Sequence, residues 1–183
     1  TILDADDQVR LLKQLMATTE IDDKKWPARV LMGVIQRWKD RGLTPDKVSN
    51  EEGSEFAEGT LVGLYRDYQK RLTELNAADF GDLLLHCLTL FTENGDVLHE
   101  YQMKFRYLLV DEYQDTNLVQ HALLKAMTLD SEGICTAESV CAVGDEDQSI
   151  YSWRGAEATN MNAFQNDFAP VKLIKVEQNY RSV

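Results

Sequence analysis

Apolar residues recur at every third or fourth position through residues 1–78, and this spacing predicts amphipathic helices. Three helices are predicted: one capped by Asp4, one from Pro27 to Gly42, and one from about Ser54 to Leu75. The apolar stripe of the second helix consists of Val30, Leu31, Val34, Ile35 and Trp38. Pro27 suits a first helical turn and Gly42 suits a C-cap, while residues 44–46 (Thr-Pro-Asp) predict a turn or another helix start. Residues 1–78 are therefore predicted to form an all-helical subdomain.

From residue 79 onward the pattern changes to short, continuous apolar runs. Asp79 and Asp82 can cap a helix over residues 83–91. Three later runs have the length and composition of buried parallel strands: residues 106–110, 139–143 and 171–176. Helices are predicted between them, over residues 118–127 and 156–168. This alternation predicts an α/β fold for residues 79–183, with a parallel sheet, flanking helices and right-handed crossovers.

Composition adds limits to this picture. The chain has 183 residues, of which 44% are hydrophobic and 27% charged, as in an ordinary soluble globular protein. We expect a cytoplasmic protein with no membrane partner, because the sequence has neither a run of about 18 apolar residues nor a start like a signal peptide. The three cysteines form no CxxC pair and share no zinc-ligand spacing with the three histidines, so neither a disulfide framework nor a zinc site is predicted.

The net charge of −12 is unevenly distributed. Residues 1–78 hold 12 basic and 14 acidic residues, and residues 79–183 hold 7 basic and 17 acidic residues. Such a balance argues against a broad basic footprint for nucleic acid. It does not exclude a local groove in which aromatic rings stack on single-stranded bases.

Two carboxylates follow the first predicted strand, at Asp111 and Glu112. In open parallel sheets the chemistry lies beyond the carboxyl ends of the strands. An aspartate there can hold Mg²⁺ through water, and the adjacent glutamate can orient or deprotonate an attacking water. The alternative is that both acids cap the next helix, near Thr116 and Asn117.

A mixed polar and aromatic segment follows the second predicted strand. Gln148 could hydrogen-bond a phosphate or a water, while Tyr151 and Trp153 could stack on bases beside the cation of Arg154. The alternative for the two rings is packing under the next helix. After the third run, Arg181 could neutralise charge on a phosphoryl group, or it could be an ordinary surface arginine.

Together these segments resemble the UvrD/Rep/PcrA family of superfamily 1 DNA helicases. The resemblance rests on three motifs in the same order and spacing: residues 109–117 (LVDEYQDTN), 143–156 (VGDEDQSIYSWRGA) and 178–182 (QNYRS). Residues 79–85 (DFGDLLL) resemble the segment where that family re-enters its first motor domain, and residues 4–8 (DADDQ) resemble its helical insert.

The resemblance implies a partial RecA-like motor domain at residues 79–183, preceded by the later part of a helical insert at residues 1–78. It implies ATP and Mg²⁺ as cofactors, with single-stranded DNA and duplex junctions as partners. Members move 3′ to 5′ and separate duplex DNA in repair and replication. The implied roles are metal binding by Asp111, water activation by Glu112, γ-phosphate contact by Gln148 and Arg181, adenine stacking by Tyr180, and DNA contact by Tyr151, Trp153 and Arg154.

One family motif is missing from these residues. The P-loop needs GxxxxGK[ST], and the sequence has no Gly-Lys pair. We therefore expect a fragment that is inactive by itself, whose incomplete sheet could expose an edge and self-associate.

Four alternatives stay open at this point. The chain could come from a recombination helicase of the RecB/AddA type, although the residues of its second motif are more similar to those of the UvrD branch. It could be an inert module that binds proteins through its helical part, or a DNA-binding fragment with no nucleotide role. A nuclease is the least favoured.

Overall fold

The computed structural model describes residues 1–19, 21–145 and 160–176, and these form helices around two small parallel sheets. In chain order the elements are β1 (Ile2–Leu3), α1 (Ala5–Met16), α2 (Ala28–Asp40), α3 (Asn50–Ser54), α4 (Leu61–Glu74), β2 (Ala78–Asp79), α5 (Phe80–Glu93), α6 (Gly95–Lys104), β3 (Tyr107–Val110), α7 (Leu118–Thr128), β4 (Ser139–Ala142) and α8 (Asn160–Asp167). Two 3₁₀ turns lie at Ala57–Gly59 and Tyr113–Asp115. The predicted mixed α/β class is confirmed.

The first two predicted helices are confirmed, with small differences at their ends. The Asp4 side chain accepts hydrogen bonds from the N–H groups of the first turn of α1. Pro27 is the N-cap of α2 and lies one position before the helix, and Gly42 follows the helix with φ of +73°, a value that suits glycine. Val30, predicted to lie on the apolar stripe, is 53% exposed and lies outside the core.

The third predicted helix is wrong over its first turns. Ala57, Glu58 and Gly59 have φ values of 48°, 56° and 86°. Consecutive left-handed residues cannot continue a right-handed helix. The chain therefore forms the short helix α3 and a 3₁₀ turn, and α4 begins only at Leu61.

Helices α1, α2 and α4 enclose the main hydrophobic core. The largest side chains in it are Trp38, Tyr65 and Tyr68, each at most 1% exposed. The Tyr65 hydroxyl donates to Leu43 O at 3.1 Å, so its buried polar group is satisfied. The periodicity of the first 78 residues thus predicted the buried faces correctly in outline.

A two-residue strand pair interrupts the predicted all-helical part. β1 pairs in parallel with β2, with Ile2 opposite Ala78 and Leu3 opposite Asp79. The prediction of an all-helical subdomain is wrong at these positions, because two residues are too few to leave a periodic signal. The pairing also brings the first residues of the chain against the start of α5.

Helix α5 was predicted from its cap, whereas α6 was not predicted. Asp79 and Asp82 form a reciprocal capping box, and α5 begins at Phe80, three residues earlier than expected. Helix α6 has no buried residue. Its apolar residues Val97, Leu98 and Tyr101 recur at helical spacing, a signal that sequence reasoning missed.

Strands β3 and β4 form the parallel pair predicted from their apolar runs. Tyr107 lies opposite Ser139 and Val110 opposite Ala142, with α7 between the strands in sequence. One face of the pair packs against a small core that contains Tyr113, Leu124 and Phe164. The other face is open, with Tyr107 71% and Leu109 73% exposed, so the prediction of strands buried on both faces is wrong for this face.

The third predicted strand, at residues 171–176, is not a strand. Ile174 is 70% and Val176 86% exposed, and within the described ranges no strand pairs with this segment. An apolar run becomes a strand only where a neighbour accepts its hydrogen bonds. Helix α8 confirms the described part of the helix predicted over residues 156–168.

Across the described ranges, none of the helices has the length and apolar content that crossing a bilayer requires.

Candidate functional site

Asp111 and Glu112 leave β3 at its carboxyl end, and both are exposed. Asp111 Oδ1 accepts a hydrogen bond from Glu112 N–H at 2.9 Å. Glu112 has φ of 50° and ψ of 43°, a left-handed conformation that costs a non-glycine residue about 1–3 kcal/mol. The surrounding contacts therefore hold the backbone in a sharp turn, with two carboxylates open to a ligand.

The end of β4 lies beside this turn. Val143 N–H donates to Val110 O at 2.8 Å, and Tyr113 N–H donates to Val143 O at 2.9 Å. Backbone hydrogen bonds thus run from one loop to the other and back. The two strand-end loops therefore meet at one edge of the sheet, as the parallel fold predicts.

Gln114 joins the same two loops through its side chain. Nε2 donates to Glu112 Oε2 at 2.6 Å, and Oε1 accepts from Asp145 N–H at 3.0 Å. Sequence reasoning did not single out Gln114. Its position between an aromatic residue and an aspartate carries no separate signal.

A buried chain of polar groups anchors the turn from below. Tyr113, 1% exposed, places its hydroxyl against Nδ1 of His121, whose Nε2 lies 2.7 Å from Asp167 Oδ2. A neutral imidazole that carries its proton on Nε2 satisfies both contacts. Burial, with the charge of Asp167, raises the pKa of Tyr113 to about 12, so the phenol stays a neutral donor.

Asp167 completes this chain at the surface. The hydrogen bond from His121, aided by Lys125 at 3.0 Å, holds the pKa of the Asp167 carboxyl below its usual value. Burial acts in the opposite direction but is outweighed. Helix α8 is thereby pinned to α7 behind the site.

The alternative role of Asp111 and Glu112 as helix caps is wrong. Helix α7 is capped by Asn117, whose side chain accepts from Gln120 N–H at 2.9 Å, while Gln120 Oε1 accepts from Asn117 N–H. The first turn of α7 therefore does not need the two acids. They stay available for a ligand.

The other predicted site residues lie outside the described residues. They are Gln148, Tyr151, Trp153, Arg154, Tyr180 and Arg181. Their roles stay predictions.

The donors at the strand end fit a Mg²⁺ ion that shares its coordination with substrate. Asp111 offers an exposed carboxylate, the oxygen ligand that Mg²⁺ prefers. Among the described residues, no group of three or more His, Cys, Asp or Glu side chains could enclose a metal. Mg²⁺ commonly relies on one or two carboxylates with water and phosphate oxygens, so one aspartate is an adequate protein contribution.

A second polar cluster, the buried ionic centre, consists of Lys39, Asp79 and Asp82. Lys39 Nζ lies 2.7 Å from Asp79 Oδ2 and 2.7 Å from Asp82 Oδ1, and all three residues are 0% exposed. Tyr68 donates its hydroxyl to Asp79 at 3.0 Å, and Gln69 donates to Asp82 at 2.8 Å. Sequence reasoning recognised the two aspartates as caps but missed the lysine, which has the appearance of a surface residue of α2.

The chemistry of this centre follows from its burial. Burial raises the pKa of Asp82, but the Lys39 ammonium and the hydrogen bonds from Asp79 N–H and Gln69 outweigh it, so the pKa is held below its ordinary value. Gly81 permits the close packing, because a Cβ there would lie 2.6 Å from Gln36 Oε1 and 2.9 Å from Lys39 Cδ. The centre locks α2, α4 and α5 together.

The residue after Lys39 reaches the strand-end side of the molecule. Asp40 Oδ1 accepts a hydrogen bond from Asn117 Nδ2 at 2.9 Å. Asn117 caps α7, which starts directly after the turn that carries Glu112. The helical part and the candidate site are therefore connected by one short chain of contacts.

Two cavities lie away from the strand-end carboxylates. One, of about 430 Å³, lies between α7 and α8 near Lys125 and Asp167. The other, of about 520 Å³, lies in the helical part near Trp26 and Asp67. Asp111 and Glu112 line neither of them and lie on an open surface instead.

Comparison with known proteins gives consistent matches. Residues 1–169 match the family model described as the UvrD/REP helicase N-terminal domain. The probable DNA helicase II homolog of Rickettsia conorii is 46% identical over 182 residues, which is 100% of this chain and 27% of that protein. DNA helicase II of Escherichia coli is 40% identical over 99% of this chain and 24% of its own length, and the ATP-dependent DNA helicase PcrA of Staphylococcus epidermidis is 38% identical over 100% of this chain and 24% of its own length. The chain thus spans about a quarter of the relatives that it matches.

Proposed function

Because the chain belongs to the UvrD/REP helicase family, we propose that it carries the metal-binding and water-activating residues of an ATP-driven DNA helicase. The observation that supports this most directly is the pair Asp111 and Glu112. Both are exposed at the carboxyl end of β3, and the backbone between them is held in one sharp turn. This is where an α/β sheet places its chemistry.

Asp111 binds the Mg²⁺ that accompanies ATP, and Glu112 orients the attacking water and accepts its proton. When bound there, Mg²⁺ would supply positive charge that offsets the negative charge of the phosphates. A general base contributes about 10²–10⁴ in rate when it lies within hydrogen-bond reach of the proton it removes. Glu112 is exposed and therefore accessible to such a water.

The remaining contacts are proposed from the family resemblance alone. Gln148 and Arg181 contact the γ-phosphate, and Tyr180 stacks on the adenine. Tyr151 and Trp153 stack on bases of the tracked strand, with Arg154 beside them. Each stacked base contributes about 1–3 kcal/mol.

For the parent protein we propose 3′-to-5′ movement along single-stranded DNA and unwinding at duplex junctions, in repair or replication, in the cytoplasm. The helical part is available for protein partners. The 183 residues alone are inactive in ATP hydrolysis, because no Gly-Lys pair is present to form the phosphate-binding P-loop.

The test is ATP hydrolysis with and without single-stranded DNA, measured on these 183 residues and on the longer parent. We expect activity only from the parent, stimulated by DNA and abolished by Asp111→Asn. Asp130→Asn is the matched control, since Asp130 lies in the loop after α7 and ahead of β4, at the other end of the sheet. A DNA-independent rate, or a parent that keeps its rate in Asp111→Asn, would contradict the proposal.

A further inference from the structure

Gln114 is a buried side chain whose two polar ends have different partners. It is 3% exposed. Its Nε2 donates to the Glu112 carboxylate at 2.6 Å, and its Oε1 accepts from Asp145 N–H at 3.0 Å. A carboxylate only accepts and a backbone N–H only donates, so one orientation of the amide satisfies both. The side chain is thereby fixed between the two loops.

We infer that Gln114 is a positioning residue for the reaction proposed above, one that holds the Glu112 carboxylate and ties it to the loop after β4. This inference rests on the proposed function. Gln114 acts through Glu112 and does not itself contact the reacting atoms. Neither the family match nor the names of the relatives assigns it a role.

Glu112 needs such a partner because of where it lies. Its side chain is exposed, and an unrestrained glutamate samples several rotamers. A misplacement of about 1 Å at a reacting group can cost about 10²-fold in rate. A hydrogen bond from a buried amide restricts the carboxylate without removing it from the ligand's side of the turn.

The hydrogen bond from Asp145 N–H gives Gln114 a second function. The turn that carries Glu112 is already joined to Val143 through Tyr113 N–H. Gln114 adds a side-chain link to the same loop, so a displacement of that loop changes the position of the carboxylate. A shift of Asp145 is therefore transmitted to the Glu112 carboxylate by the Gln114 side chain, in addition to the backbone bond between Tyr113 and Val143.

Two substitutions distinguish a role of Gln114 in positioning Glu112 from a purely structural role in stabilising the loop after β4. Gln114→Glu keeps an oxygen that accepts from Asp145 N–H but places a second carboxylate against Glu112. Gln114→Leu removes both bonds. Gln102→Leu is the matched control, because Gln102 donates to Ala126 O and Leu129 O at the end of α7.

In the parent protein we expect both Gln114 variants to lower kcat for DNA-stimulated ATP hydrolysis at least tenfold, with KM for ATP within about twofold. In a Glu112→Gln background, Gln114→Leu should have less than a twofold further effect, since it acts through the group already altered. A wild-type kcat in Gln114→Glu would overturn the inference and would assign Gln114 a purely structural role in stabilising the loop after β4. Additive losses in the double variant would also overturn it.

The two hydrogen bonds of Gln114 are also tested without an activity assay, by NMR of the 183-residue chain. Hydrogen exchange at Asp145 N–H should be at least tenfold faster in Gln114→Leu than in wild type or Gln102→Leu. The side-chain amide signals of Gln114 should move in Glu112→Ala. If neither changes, the inference is wrong even when the parent is an active helicase. If both change but the parent hydrolyses no ATP, the proposed function is wrong, and the positioning role of Gln114 in that reaction is wrong with it.

Discussion

Replacement of Lys39 by methionine tests how the buried ionic centre holds the helical part together. Lys39 makes two contacts of 2.7 Å to carboxylates, and Lys39, Asp79 and Asp82 are each 0% exposed as whole residues. Its Nζ also lies 5.2 Å from the ring centre of Tyr68. Methionine keeps most of the aliphatic volume but removes the charge, so Asp79 and Asp82 would stay buried without a cation.

The expected loss of unfolding free energy in Lys39→Met is large for a single substitution. Removal of one partner from a buried ion pair costs about 3–5 kcal/mol, because the other charge is left uncompensated. Here two carboxylates lose the same partner. For a domain of this size about 1 kcal/mol corresponds to roughly 2–4 °C in Tm, so we expect a drop of about 6–20 °C.

The assay is thermal and urea unfolding of the 183-residue chain, with Lys25→Met as the matched control. Lys25 pairs with Glu58 at the surface, where the two side chains are 58% and 74% exposed. Such pairs contribute about 0–1 kcal/mol. A Lys39→Met variant within about 1 kcal/mol of the Lys25→Met variant would refute the assignment of Lys39 as the buried counter-ion.

A rescue variant separates charge from packing. In Lys39→Met/Asp79→Asn/Asp82→Asn the buried charges are removed together, so no carboxylate is left buried without a counter-ion. We expect this variant to recover at least half of the loss. Failure to recover would show that Lys39 acts through its packing.

The pH dependence has a defined sign. The folded pKa of Asp82 lies below its ordinary value, so its ionised form adds stability above the unfolded pKa of about 3.9, and this is lost as the pH falls through the folded pKa. The gap in unfolding free energy between wild type and Lys39→Met should therefore narrow below about pH 4. A gap that is constant from pH 7 to pH 3 would contradict this.

Three further predictions concern substitutions of single residues. Tyr113→Phe should cost about 1–3 kcal/mol in unfolding free energy, because Nδ1 of the buried His121 loses its partner, and an unchanged Tm would contradict this. Asn117→Ala should cost about 1–2 kcal/mol through loss of the α7 cap and of the bond to Asp40, as measured by urea unfolding. The chain should self-associate through the open sheet face and become more monomeric in Leu109→Glu, since Leu109 is 73% exposed; sedimentation that shows a monomeric wild type at high concentration would refute this.

The elements with regular patterns were predictable from sequence. The stripe of α2, the cap of α5 and the apolar runs of β3 and β4 each leave a signal that depends on neighbours along the chain. Helix α6 has no fully buried residue and only a short apolar pattern, so its signal is weak. Strand β1 is two residues long and leaves no such signal. The strand predicted at residues 171–176 was wrong for a different reason. Strand formation depends on a pairing partner, which a local sequence pattern does not contain.

In the candidate site, too, some residues were predictable from the sequence and others were not. Asp111 and Glu112 were predictable because the rule for parallel sheets points to strand ends. Gln114 and Lys39 were not, since their importance comes from partners brought close only by the fold, such as Asp145 and Asp79. The division of the chain at residues 78 and 79 stays a prediction, and the contacts of Asp79 on both sides of it show that the two parts share one buried centre.

The most direct test of the central claim is single-turnover ATP hydrolysis by the parent protein with single-stranded DNA, comparing wild type with Glu112→Gln. Glu132→Gln is the control, because Glu132 is exposed in the loop before β4, at the opposite end of the sheet. We predict that Glu112→Gln binds ATP as wild type does but hydrolyses it at least 10²-fold more slowly, while Glu132→Gln is unchanged. Hydrolysis by Glu112→Gln at the wild-type rate would show that Glu112 does not activate the water, and the proposed site would be wrong.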